Sequence, residues 1–189
     1  MFLKIKLKLK KLYSLSELTQ IIQKHKKKRK RIVLANGCFD LIHAGHIRYL
    51  KESKAKGDIL VVALNSDASI RKLKGKGRPI LNERERAEII SSFSFVDYVT
   101  FFKEQNVAEV LLALKPDIHA KGSDYTVETV PERETVKEYG GKIAITGGPK
   151  IKSTSQLIKE IAAKTILSKS KVLDYTINPY IGCQHGCTY

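Results

Sequence analysis

From residue 32 onward the apolar positions come in short blocks whose period changes from one block to the next. Ile32 to Ala35, Ile59 to Leu64, Tyr98 to Phe102, Asp117 to Ala120 and Ile143 to Thr146 are short runs rich in aliphatic and aromatic residues, which predicts strands. Between them, Ala44 to Lys56, Asn82 to Phe93, Val107 to Leu114 and Pro131 to Tyr139 carry apolar residues at helical spacing. Ser153 to Ala163 follows with Ser153-x-x-Gln156 as a capping box and Leu157, Ile158 and Ile161 as a core-facing stripe. Gly57-Asp58, Pro116 and Gly140-Gly141 punctuate the helix ends. Strand and helix by turns predicts an α/β protein with a parallel sheet of about five strands and helices on both faces. Ahead of the series, Ser14-x-x-Glu17 opens an amphipathic helix through Leu18, Ile21 and Ile22 to about His25, and Lys26 to Arg31 ends it as a solvated basic run. No internal repeat is visible, and Thr165 to Tyr189 lacks clear periodicity. The organisation expected is a basic N-terminal extension with a short helix over residues 1–30, one domain over 31–163, and a linker over 164–189.

A chain of 189 residues that is 42% hydrophobic can build one core of ordinary size, and no apolar run approaches the roughly 18 residues that cross a bilayer. The formal net charge of +16 points first to nucleic acid, but the charge is unevenly divided. Residues 1–31 hold 12 Lys or Arg against one acid, whereas residues 32–162 hold 20 against 17. With 27 Lys to 8 Arg, the chain also lacks the guanidinium richness of bidentate phosphate or guanine recognition. A basic nucleic-acid-binding module using Lys4 to Arg31 is therefore the rival reading, set against a balanced body without interleaved aromatic residues. Three cysteines, Cys38, Cys183 and Cys187, make no disulfide framework and fit a reducing cytoplasm, and Met1 to Leu12 forms no export signal.

The chemistry concentrates where the first strand runs into Asn36-Gly37-Cys38-Phe39-Asp40-Leu41-Ile42-His43-Ala44-Gly45-His46. Two histidines three apart stand where a strand gives way to a helix N-terminus, the place where α/β sheets bind phosphates with free backbone N–H groups and the helix dipole. Two imidazole donors there would cradle charge that grows in a transition state, and Gly45 between them lets a phosphate approach the backbone. The plain alternatives are a surface and a capping histidine, or half of a metal site whose remaining ligands His25, His119, His185 or a carboxylate stand at no recognisable spacing. Gly75-x-Gly77 lies in a basic loop and is no dinucleotide fingerprint, since the third Gly is absent. Ser153-Thr154-Ser155 opens a helix and could bind β- and γ-phosphates or serve as an ordinary cap.

The turn from Asn36 to His46 resembles the signature of the His-x-Gly-His nucleotidyltransferase superfamily, whose fold is Rossmann-like. Asn65 to Pro79, Phe95-Val-Asp-Tyr-Val99, Lys115-Pro-Asp117 and Lys121-Gly-Ser-Asp-Tyr125 further resemble the adenylyltransferase domain of ADP-heptose synthases, over roughly residues 12–163. The resemblance implies transfer of AMP from ATP to a sugar phosphate, heptose 1-phosphate in that family, with release of pyrophosphate in ADP-heptose biosynthesis. It implies His43 and His46 on the α-phosphate and departing pyrophosphate, Gly37, Cys38 and Phe39 on the nucleotide, and Asp40 ordering the site and the substrate. It further implies Lys74, with Lys76 or Arg78 nearby, on the attacking substrate phosphate, Asp124 on base or ribose, and Ser153, Thr154 and Ser155 on the outer phosphates. Mg²⁺ is inferred from the triphosphate alone. A homodimer and a separate upstream sugar kinase are the partners expected. Cytidylyltransferases open the last segment with an Arg, where this chain reads Gly148-Pro-Lys-Ile-Lys-Ser-Thr154, which favours ATP and leaves the γ-phosphate to Lys150 or Lys152. Glycerol 3-phosphate cytidylyltransferases and archaeal-type FMN adenylyltransferases, which share the catalytic turn, are the neighbouring readings. The tail Asn178-Pro-Tyr-Ile-Gly-Cys-Gln-His-Gly-Cys-Thr-Tyr189 resembles the start of a radical S-adenosylmethionine enzyme, with Cys183 and Cys187 as two of three ligands to a [4Fe–4S] cluster. The third would fall one position past Tyr189, so the expectation is a truncated second domain, with an unstructured tail or a Zn clip using His185 as alternatives.

Overall fold

The computed structural model describes residues 9–149. The chain runs α1 (Leu15–Lys27), β1 (Ile32–Gly37), α2 (Ala44–Lys54), β2 (Ile59–Asn65), α3 (Asp67–Lys74), α4 (Glu83–Ser92), β3 (Tyr98–Phe102), α5 (Ala108–Leu114), β4 (Ile118–Gly122), α6 (Arg133–Glu138) and β5 (Lys142–Thr146). All five strands are parallel, in the order β3-β2-β1-β4-β5. The predicted Rossmann-like sheet with helices on both faces is what forms. The predicted helix from Ser153 to Ala163 and the tail with Cys183 and Cys187 lie outside the described residues.

Alternation along the central strands explains the two layers. Val33 and Ala35 of β1, with Leu60, Val62 and Leu64 of β2, pack with Tyr49 and Leu50 of α2 and Ala87 and Ile90 of α4. Ile32, Leu34, Val61 and Ala63 point the other way, onto Leu18 and Ile22 of α1, Val110, Leu111 and Leu114 of α5 and Val136 of α6. Both faces of β1 and β2 are thus dry, which is why their sequences read as continuous apolar runs.

The charge division set α1 apart as an extension, and here the structure corrects the reading. Leu18 and Ile22 are 0% and 1% exposed, Lys26 donates to the Lys115 carbonyl, and His25 Nε2 lies 2.8 Å from the Tyr98 hydroxyl. Upstream, Leu12 bridges Val99, with Tyr13 N–H donating to the Val99 carbonyl at 3.0 Å and Val99 N–H to the Lys11 carbonyl at 2.8 Å. The lysines coat a helix that closes one layer, because net charge reports only its solvated side. The sequence predicts no element between β2 and the helix opening at Asn82, where the structure has α3. Ser66 caps it, accepting from Ser69 N–H, but the helix buries only Ser69 and Ile70 and so shows almost no apolar stripe.

Three aspartates just ahead of strands pin the opposite, amino edge of the sheet. Asp58 accepts from Arg31 N–H at 2.8 Å, Asp97 from Leu60 N–H at 2.7 Å and Asp117 from Ile32 N–H at 2.7 Å. Two of the segments that carried the family resemblance, those of Asp97 and Asp117, therefore set strand register rather than bind ligand. Leu18→Ala should lower stability by about 3 kcal/mol, the range for emptying a well-packed core site. Denaturant titration checks this, and a change below about 1 kcal/mol would return α1 to the status of an appendage.

Candidate active site

The chain leaves β1 for β2 and β3 on one side, then returns to β4 and β5 on the other, so the strand order reverses between β1 and β4. In parallel α/β sheets such a reversal opens a crevice at the carboxyl ends of the two strands. Gly37 ends β1 there, and Cys38, Phe39 and Asp40 turn the chain toward α2. Phe39 makes the turn in the left-handed region, φ 47°, with its buried ring against Tyr49 and 5.2 Å from the His46 ring. A Cβ on Gly37 would come within 3.0 Å of the Phe39 ring, so glycine is what lets the ring fold back.

His43 and His46 meet at the start of α2. His43 is the N-cap, its Nδ1 accepting from Gly45 N–H at 3.2 Å, while His46 Nδ1 lies 3.4 Å from His43 N–H, a long hydrogen bond. A backbone N–H can only donate, so both Nδ1 atoms are acceptors and both neutral rings carry their proton on Nε2. The rings stack with centroids 3.9 Å apart. Burial, reinforced by the neighbouring His43, pushes His46 down to about 4. Gly45 has a steric reason as well: a Cβ there would lie 2.9 Å from His43 Cε1. Tyr49, one turn on, anchors α2 over the crevice, its hydroxyl 2.8 Å from the Ala120 carbonyl of β4 and 3.3 Å from Asn36 N–H of β1.

The other predicted residues fall into two groups. Asp40 is 2% exposed, and its Oδ1 accepts from Ile80 N–H at 2.7 Å and Leu81 N–H at 3.1 Å. Arg78 Nε stands 2.6 Å from Asp40 Oδ2 in an ion contact that is not an aligned hydrogen bond, since neither atom has a hydrogen-bond partner. Asp40 and Arg78 therefore hold residues 78–81 against the end of β1. Lys74 ends α3 and is exposed. Burial pushes the Cys38 thiol up, and the charges of Lys74, Arg86 and Arg78 act against that, so Lys74 stands in electrostatic reach of the turn. Asp124 is exposed on the loop after β4, and Ser153, Thr154 and Ser155 lie outside the described residues. Among the described residues no group of three or more His, Cys, Asp or Glu could hold a metal ion. Asp40 is already committed, so a Mg²⁺ arriving with a triphosphate would depend on phosphate oxygens and water for its ligands.

Sequence reasoning missed Arg86. Its side chain is 0% exposed within α4, and it donates through Nη1 to the Cys38 carbonyl at 2.7 Å, Nε to the Leu81 carbonyl at 3.1 Å and Nη2 to Asp67 Oδ1 at 2.8 Å. One guanidinium thereby ties the β1 turn, the 78–81 segment and the start of α3 together. The only sequence signal was its position on the apolar side of α4, next to Ala87.

A Rossmann-like sheet with a His-x-Gly-His turn at its topological switch point defines a nucleotidyltransferase domain. Residues 34–170 match the cytidylyltransferase-like family, and the chain belongs to it. It is 48% identical over 144 residues to the bifunctional protein HldE of Pelobacter propionicus, covering 76% of this chain and 30% of that protein. It is 42% identical over 156 residues to the HldE protein of Geotalea uraniireducens, covering 82% and 32%. The chain thus spans about a third of the length of these curated relatives. Among solved structures, the lipopolysaccharide core biosynthesis protein from Thermoplasma volcanium matches with a TM-score of 0.52 and 34% identity, over 61% of this chain and 93% of that one. Among the described residues, no helix is long and apolar enough to cross a membrane.

Two outcomes follow from the buried groups. Arg86→Met strips three acceptors of their donor and should cost about 3 kcal/mol, read by denaturant titration, together with a fall in nucleotide affinity. His46 is held below its unfolded value, as is His119 of β4, pushed down to about 3 by burial and by Lys121. The unfolded chain therefore binds more protons below about pH 6.5, so stability is full above that value and falls as pH drops through about 4 for His46 and about 3 for His119. The thermal midpoint should decline across this window, and His46→Asn should flatten part of the decline.

Proposed function

We propose that this chain is an adenylyltransferase that transfers AMP from ATP to a sugar phosphate, heptose 1-phosphate being the substrate expected, with release of pyrophosphate. The observation that carries the reading is the pair of stacked neutral imidazoles, His43 and His46, whose Nδ1 atoms are taken up by backbone N–H groups at the N-terminus of α2. Their Nε2–H groups and the helix dipole are donors suited to an anion in the crevice between β1 and β4.

The reaction asks little else of the protein. An oxygen of the substrate phosphate attacks the α-phosphorus in line, the P–O bond to the β-phosphate breaks, and pyrophosphate leaves with the electron pair. The nucleophile is already an anion at neutral pH, so no general base is required, and catalysis reduces to alignment and charge neutralisation. His43 and His46 donate to the α-phosphate and to the oxygen on which leaving-group charge develops. Lys74 faces the incoming substrate phosphate, and Arg78, paired through Nε with Asp40, adds a guanidinium donor nearby. Gly37, Cys38 and Phe39 offer backbone to the nucleotide, Asp124 the base or ribose contact, and Ser153 to Ser155 the outer phosphates. Mg²⁺, when bound, screens the triphosphate. A homodimer, a cytoplasmic setting and a separate kinase that makes the sugar phosphate complete the proposal.

The family description keeps cytidylyl transfer as the second reading. Pyrophosphate release measured with ATP and CTP against heptose 1-phosphate and glycerol 3-phosphate separates them. ATP with heptose 1-phosphate should exceed CTP by at least about tenfold in kcat/KM, a difference of about 1.4 kcal/mol that one or two base-edge hydrogen bonds supply. Turnover with CTP equal to or above that with ATP would move the chain to the cytidylyl reading. His43→Ala and His46→Ala should each lower kcat by at least about a hundredfold, and near-normal turnover in both would refute the site.

A further inference from the structure

At the carboxyl ends of β1 and β4 lies a polar cluster that the mechanism above does not use. Asn36 Oδ1 is 3.2 Å from Lys121 Nζ and 3.2 Å from His119 Nε2. Lys121 is 6% exposed, with its ammonium 3.1 Å from the buried Glu132 carboxylate and 5.1 Å from the centroid of the Tyr125 ring. This chemistry fixes the carboxamide's orientation without ambiguity. An ammonium has only donors, so the atom facing it must be the carbonyl oxygen; the turned amide would set NH₂ against NH₃⁺. His119 Nε2 must then carry its proton and donate as well. Its Nδ1, buried and without a partner, is the bare acceptor nitrogen of a neutral ring.

With both contacts taken by Oδ1, the Asn36 NH₂ group is left with two donors and no acceptor among the described residues. Asn36 is half-buried and one position past the Ala35–Ala120 pair, at the switch point itself. Alternation sets its side chain on the face of Leu34, the face covered by α1 and α5, whereas the histidines stand on α2 across the sheet. In-line displacement likewise separates nucleophile and leaving group to opposite sides of the phosphorus.

We propose that Asn36 is a specificity residue for the acceptor substrate, its locked NH₂ donating to an oxygen of the sugar phosphate while Lys121, Glu132 and His119 keep the amide from turning. The inference rests on the adenylyltransferase reading and adds a substrate contact to it.

Asn36→Asp separates this role from a structural one. A carboxylate accepts from Lys121 and His119 at least as well as the amide, so the thermal midpoint should hold or rise, but it offers the substrate no donor. Steady-state kinetics with each substrate varied in turn should give a KM for heptose 1-phosphate raised at least about tenfold, with the KM for ATP within about twofold of wild type. Asn36→Ala should raise the same KM and also lower the midpoint. An Asp variant with wild-type KM for the sugar phosphate, or with the rise in the KM for ATP instead, would overturn the assignment while the adenylyltransferase stands. A midpoint several degrees lower in the Asp variant would overturn the locked network. A wild-type protein inactive with ATP and every sugar phosphate would refute the function itself, and the Asn36 contact with it.

Discussion

Two nitrogen atoms, His43 Nδ1 and His46 Nδ1, are each committed to a backbone N–H in the first turn of α2, and the chemistry of the site depends on that commitment. It selects the tautomer, orients both rings and places the proton on Nε2. It also leaves no room for a side chain at position 45. His43 folds back over Gly45, into space that any Cβ would claim, and His46 must stand three residues on to reach the N-cap. Being neutral, the pair donates hydrogen bonds without carrying buried charge, and the α2 dipole supplies the positive potential.

Around this turn the charged side chains act between elements. Asp40 with Arg78 holds the 78–81 segment to β1, Arg86 ties that segment and α3 to the Cys38 carbonyl, and Lys121 with Glu132 tethers the chain ahead of α6 to the end of β4. Desolvating such groups offsets much of their mutual attraction, so net stability is a weak reason for their presence. What they provide is alignment: a loop fixed at two points loses less entropy when a triphosphate settles on it. The amino edge of the sheet shows the same economy with Asp58, Asp97 and Asp117, which set register far from the crevice.

The sequence by itself determined the α/β class, five strands in the correct order along the chain, and the histidine turn. These are local features: period 2 against period 3.6, caps and breakers within a few residues, and a motif whose parts touch across two or three positions. Strand ends were harder to read, because the polar Asn36 and Gly37 continue β1 only by pairing with Ala63 and Leu64 of β2. Helix α3 was illegible for a related reason, since so little of it is buried.

Only the tertiary structure decided what depends on partners far along the chain. Arg86 meets Cys38 from 48 residues away, Tyr49 meets Ala120 from 71, and Lys121 meets Asn36 from 85. A buried arginine on a helix reads in sequence as one more solvated charge, and a basic run at the end of α1 reads as an appendage, because composition records charge and not what the other side of the helix touches. The reversal between β1 and β4, which brings Asn36, Lys121 and the histidine turn to one edge, follows from strand pairing across the whole domain. Parallel pairing carries no local signature of which neighbour a strand will take, so that choice is made by packing both faces of the sheet at once.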